Sequence, residues 1–250
     1  MKTIEIINDG LAQGGFTSGN NGIWTRNEPF DPPTEDYTAL SRRLDIPLSR
    51  FIRPYQASGD NVKIVTAEHG GSGVIKDNEL KKVDGLVTAE NGVVLSVIAA
   101  DCVPVYLIAI SAGVIGLLHC GWRSAAGGLL HNGIAAMKEL GASPADIQLI
   151  IGPHICADCY EMGAEVREEY AKFFSENELE ALFTVRDKRL YLSLSKALQL
   201  KAEAEGILRD KISAVNECTC HDKSYHSYRR GDRGRQNLAY LMMKSCNSHQ

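Results

Sequence analysis

Apolar residues gather in the middle of the chain, where residues 92–100, 103–110 and 113–118 are runs of Val, Ile, Leu and Ala. Runs of this length and β-branched content, interrupted by short polar steps, predict three consecutive buried strands. Residues 1–9 alternate Lys2, Glu5 and Asn8 with isoleucines, which predicts an edge strand. From 124 to 140 the period lengthens: Ala125, Leu129, Ile134, Met137 and Leu140 form an apolar stripe that ends before Gly141, predicting a helix with a glycine C-cap. A fourth strand follows at 147–151. Helices are predicted at 163–174 and at 193–205, the latter with Ser193 as N-cap, and a short strand at 211–216. Residues 238–243 are uniformly apolar and too short to assign. Residues 14–33, dense in Gly, Asn and Pro, predict a long surface loop.

The pattern gives a mixed α/β (α+β) class: one compact domain over 1–250, with mixed β-sheets flanked by helices. A chain of 250 residues with 44% hydrophobic content buries roughly three quarters of its unfolded surface and needs no covalent staples. Its net charge of -4 comes from 27 basic and 31 acidic residues with no long run of either sign, so no nucleic-acid stripe is expected. The longest apolar stretch is broken by Asp101, Cys102 and Pro104, which argues against a membrane helix of about 20 residues. Residues 1–9 lack the apolar core of a secretory signal, and seven cysteines is an odd count. Reduced thiols and a cytoplasmic location are expected, in a monomer or weak homodimer.

Three segments carry candidate chemistry. Ala100-Asp101-Cys102-Val103-Pro104 and His119-Cys120-Gly121-Trp122-Arg123 each follow an apolar run, so a thiol and an imidazole are offered at strand ends. That pair suits zinc, copper or nucleophilic catalysis, although Cys102, Cys120 and His119 also read as ordinary core residues. Ile151-Gly152-Pro153-His154 turns into Cys156-x-x-Cys159, which with Cys218 and Cys220 offers a four-thiolate zinc site; thiols lining a core or pocket are the competing reading. After Tyr228, the four arginines Arg229, Arg230, Arg233 and Arg235 cluster guanidinium forks suited to phosphate or carboxylate, or form a solvated basic turn.

Together with Asp84-Gly85-Leu86-Val87-Thr88, Cys159-Tyr160-Glu161 and Gly234-Arg235-Gln236, these segments resemble the successive signatures of the YfiH-like laccase-domain family, in family order from about residue 15 to 236. The resemblance implies a mononuclear metal held by His, Cys and His beside a surface pocket. Cys102 and His119 fall on the second and third ligands. The first ligand, in a Gln-x-His-Gly motif, aligns with Gln56-Ala57-Ser58-Gly59, so Ser58 stands where the histidine is expected. His69 and His154 are candidate substitutes. A second departure is Phe16-Thr17-Ser18-Gly19, where the family shows an arginine; Arg26 follows in the same segment.

The implied activity is zinc-dependent phosphorolysis of purine nucleosides (adenosine, inosine, methylthioadenosine) with a side activity as adenosine deaminase, taking a purine nucleoside and phosphate as partners. Expected roles are metal binding or catalysis for Cys102 and His119, acid/base or ligand-orienting chemistry for Asp101, and substrate binding for Arg123, Tyr228, Arg229, Arg230 and Arg235. Trp122 and Tyr228 are candidates to stack the base. Two readings compete: a copper-dependent polyphenol oxidase, and a binding relative with an impaired metal site because of Ser58.

Overall fold

A computed structural model describes residues 2–24 and 34–244. Two sheets lie face to face. One holds, in spatial order, Thr3–Asn8, Ala12–Thr17, Asn237–Met243, Val94–Ala99 and Phe51–Ile52. The other holds Ile212–Ala214, Gln148–Ile151, Val103–Ala109, Val114–Cys120, Gly85–Thr88 and Val62–Ile64. A small third sheet joins Glu161–Met162, Arg189–Leu192 and Phe183–Arg186.

The central strands read as unbroken apolar runs because both of their faces are covered, and successive side chains serve different cores. In Val103–Ala109, Val105 and Leu107 face the helices Leu129–Glu139 and Leu194–Ala204, while Tyr106 and Ile108 face the opposing sheet. In Val114–Cys120, Leu118 and Cys120 take the helix side and Ile115 and Leu117 the sheet side. The partner sheet alternates likewise: Leu95, Val97 and Leu241 point inward, while Val94, Ile98 and Tyr240 meet Tyr37, Leu40 and Leu44 of the helix Glu35–Leu44. The result is four layers, helix, sheet, sheet, helix, with three apolar seams.

Most expected elements form, with informative departures. The helix expected over 124–140 is two helices, Trp122–Ala126 and Leu129–Glu139. Gly127 and Gly128 interrupt it because the Asp60 carboxylate sits against both, accepting the Gly128 N–H at 2.9 Å; a Cβ at Gly127 would lie 2.8 Å from that carboxylate. The expected loop over 14–33 begins instead inside the strand Ala12–Thr17. Gly15 belongs there because the Tyr240 ring occupies the space of a side chain: a Cβ would fall 2.4 Å from its hydroxyl. Residues 25–33, with Arg26, lie outside the described residues. The apolar run at 238–243 is a central strand, and Ser193 caps its helix by accepting from the Lys196 N–H. The helix expected over 163–174 is shorter, Ala164–Tyr170. No helix of the described residues is long and apolar enough to cross a membrane.

Candidate functional site

The two-residue period of Val114–Cys120 decides which of its terminal residues can act. Cys120 points into the helix-side core, fully buried, and burial pushes its thiol well up; it is a core residue. His119 points the other way, to the rim between the two sheets. Pro104 pairs with His119 across the ladder, which brings Cys102, just before the strand Val103–Ala109, alongside the imidazole. Residues 100–102 cross from one sheet to the other, with Asp101 at φ 89°, a strained conformation for a non-glycine residue. Both of its carboxylate oxygens hold that turn: Oδ1 accepts from the Thr219 hydroxyl at 2.7 Å and Oδ2 from the Arg229 N–H at 2.6 Å.

Beneath this pair lies a residue whose role the sequence reading missed. Asp84, fully buried, accepts from the Ala57, Ser58 and Gly59 N–H groups at 3.0, 2.9 and 2.9 Å, and its Oδ1 lies 3.0 Å from His119 Nδ1. Burial opposes its ionisation, but the His119 contact and the backbone donors outweigh it and hold its pKa below the usual carboxylate range. The pKa of His119 is pushed up to about 9: burial opposes the charge, and the Cys102 sulfur and Asp84 carboxylate overcome it. A carboxylate that fixes one imidazole nitrogen leaves the other free for a ligand. The signal available in the sequence was a single acid opening the buried strand Gly85–Thr88.

The loop that bears Ser58 is fixed at its start by Gln56, whose side-chain amide bonds both the N–H and the C=O of Ile98 at 2.8 Å. Ser58 has φ 56°, and its hydroxyl converges with the Cys102 sulfur on Gly121: a Cβ there would lie 3.4 Å from Cys102 Sγ and 3.9 Å from Ser58 Oγ. His69, the expected substitute, does not line the cavity; its Nδ1 caps its own turn through Thr66. Nor does His154, buried with Nδ1 on the Gly152 carbonyl at 2.8 Å. The donors available at the rim are therefore a thiol, an imidazole and a neutral hydroxyl. The first two fit zinc well and the third poorly.

Above them opens a cavity of about 860 Å³, lined by Cys102, His119, Ser58 and Asp101, by the cations Arg53, Lys76, Arg123 and Arg229, and by Trp122, Tyr160 and Tyr228. Four cations facing one already bonded carboxylate favour an anionic ligand. Arg123 lies over the Trp122 ring at 4.0 Å, and Arg229 over that of Tyr160 at 5.1 Å. Two expected substrate residues are elsewhere. Arg230 does not line the cavity; its guanidinium donates to the carbonyls of Thr219 and Cys220 at 2.9 and 3.0 Å and pairs with Asp232. Arg235 is exposed and outside the cavity lining.

The expected four-thiolate group is also corrected. Among the described residues, the ligand atoms of Cys156, Cys159, Cys218 and His221 lie within 4.8 Å of one another, so His221 and not Cys220 completes the set. This cluster can bind a metal ion.

The sequence pattern described as "Multi-copper polyphenol oxidoreductase laccase" matches residues 6–244. The chain belongs to that family. Its fold is shared with the crystal structure of the Bacillus licheniformis hypothetical protein YfiH, at a TM-score of 0.82, 25% identity and 93% coverage of each chain. Relatives in this YfiH-like family include purine nucleoside phosphorylase YlmD of Geobacillus stearothermophilus, 32% identical over 229 residues, 90% of this chain and 82% of that protein. Another is adenosine deaminase RL5 of an unknown prokaryotic organism, 30% identical over 194 residues, 76% of this chain and 74% of that one.

Proposed function

We propose that the chain is a cytoplasmic purine nucleoside phosphorylase, with adenosine deamination as a side activity. The observation that carries this reading is the cavity itself: cations and aromatic faces converge on one Cys102–His119 corner. Its volume of about 860 Å³ suits a nucleoside together with phosphate. Arg123 and Arg229 receive the phosphate dianion, Lys76 adds a further positive charge to the lining, and the rings of Trp122, Tyr160 and Tyr228, each with an arginine over one face, bound the space for a purine.

Phosphorolysis replaces the C1′–N bond of the nucleoside with a C1′–O bond to phosphate, and the base departs with the bonding pair and takes up a proton. Holding phosphate against C1′ and stabilising the departing base need orientation and electrostatics but no electron transfer. Cys102 and His119, with Ser58 as a weak third donor, are the residues that would hold zinc, which when bound supplies Lewis-acid polarisation. Asp84 keeps the His119 ring in place, and Asp101 holds the backbone of Arg229.

The family description favours copper oxidation of phenols as a second reading. A laccase needs several coppers. The one described cluster of three or more close ligand atoms is three thiols and an imidazole, a donor set better suited to zinc than to an oxygen-reducing copper group. The test is release of hypoxanthine from inosine, with and without phosphate, against oxidation of a phenol with added copper. Phosphate-dependent release supports the reading; copper-dependent phenol turnover alone overturns it.

A further inference from the structure

We propose that Cys156, Cys159, Cys218 and His221 bind one zinc ion, separate from the cavity, that clips two turns together and thereby positions Asp101 and Arg229. This goes beyond the nucleoside reading and does not depend on it.

The sequence supplies two matched turns. Cys156-Ala157-Asp158-Cys159 places two thiols with two residues between them, and Cys218-Thr219-Cys220-His221 places a thiol and an imidazole at the same spacing. A pair of such turns is the usual framework of a structural zinc site. Cys220 follows Cys218 after one intervening residue, the wrong interval for such a turn.

The fold then docks one turn on the other. His154 and Cys218 form a parallel bridge, with the Thr219 N–H on the His154 carbonyl at 3.1 Å and the His154 N–H on the Glu217 carbonyl at 3.3 Å. The Cys156 N–H donates to Cys218 Sγ at 3.2 Å, and Cys156 Sγ lies 3.6 Å from His221 Nδ1. Each turn is closed by its own backbone: the Cys159 N–H meets the Cys156 carbonyl at 3.1 Å, and the Asp222 N–H the Cys218 carbonyl at 3.0 Å. Tetrahedral zinc with bonds of about 2.3 Å to sulfur sets its ligand atoms about 3.8 Å apart. Four donors within 4.8 Å need only small rotations to reach that geometry. Three thiolates and one imidazole close the coordination shell, so this ion would have a structural and not a catalytic role.

What the clip holds is visible in its second turn. Thr219, between two of the ligands, donates its hydroxyl to Asp101, which accepts the Arg229 N–H with its other oxygen. Arg229 Nη1 in turn donates to the Glu161 carbonyl at 2.8 Å, two residues beyond Cys159. Asp101 and Arg229 are thus bonded to both sides of the cluster, and both are positioned by it.

The experiment removes the cavity donors with Cys102→Ala and His119→Ala together in the full chain. Zinc per chain is measured by elemental analysis, and its ligand shell by X-ray absorption. The expected result is about one zinc with three sulfurs at about 2.3 Å and one nitrogen at about 2.0–2.1 Å. Adding Cys218→Ser or the surface change His221→Ala is expected to bring zinc toward zero and to remove the loss of thermal stability that a chelator otherwise causes. Zinc absent from the cavity variant, a shell with one sulfur or none, or retention unaffected by both additional changes would overturn the proposal. Since His221 is exposed, its variant gives a reading even if Cys218→Ser does not fold.

Discussion

His119 Nδ1 lies 3.0 Å from Asp84 Oδ1, and the same oxygen accepts the N–H of Ser58 at 2.9 Å. One buried carboxylate thus sets the position of an imidazole on one strand and of the loop that faces it. Two of the three donors at the rim, Ser58 and His119, are oriented through Asp84.

Asp84→Ala is expected to cost about 3 kcal/mol of folding stability, since it leaves three backbone donors and an imidazole without their acceptor. Zinc affinity at the cavity should fall about 10- to 100-fold. Denaturant unfolding and a zinc titration on a background lacking His221 check the two effects separately.

Ser58→His tests the departure from the family motif. Histidine tolerates the left-handed conformation of this position better than a β-branched residue would. Zinc should bind the cavity at least about 10-fold more tightly, with a matching gain in inosine phosphorolysis. Equal affinity in the two chains would mean that the position does not face the ion.

Arg229 and Arg230 are neighbours in sequence with different expected phenotypes. Arg229→Lys loses the planar fork in the cavity, and the KM for phosphate should rise about 10-fold. Arg230→Ala leaves the carbonyls of Thr219 and Cys220 without their donor and should cost about 2 kcal/mol of stability, with a smaller change in that KM. Steady-state kinetics with phosphate varied, beside thermal unfolding, distinguishes them.

His119 gives the metal-free protein a pH signature. Its pKa in the folded chain is about 9, above the usual 6.5. The stabilisation that its charged form gains in the folded chain is therefore fully present below about pH 6.5 and is lost as pH rises through about 9. The stability gap between the chelated native chain and His119→Gln should shrink by no more than about 3 kcal/mol over this window. A gap independent of pH would show that the imidazole is neutral throughout.

Much of this architecture is legible in the chain because period and burial agree. The runs at 92–100 and 103–110 had to be strands covered on both faces, and the placement of Cys102 and His119 at strand ends is readable from the same runs. What escaped depends on contacts distant in sequence. Nothing near Gly127 announces that Asp60 will break the helix there, and nothing near residue 84 shows that its carboxylate will collect the 57–59 backbone. Arg230 and Arg229 are the same residue type, and only the fold turns one toward its own loop and the other into the cavity. His221 was overlooked for a different reason, since its spacing from Cys218 was readable and a nearer thiol drew the assignment.

The most direct test of the central claim is inosine cleavage by the unmodified chain, following hypoxanthine and ribose 1-phosphate with and without phosphate. The account predicts that both products appear in equal amounts and only when phosphate is present, with the rate lowered by Arg229→Lys. No cleavage by this chain or by Ser58→His under zinc-replete conditions would contradict it, and the cavity would then serve another anionic ligand.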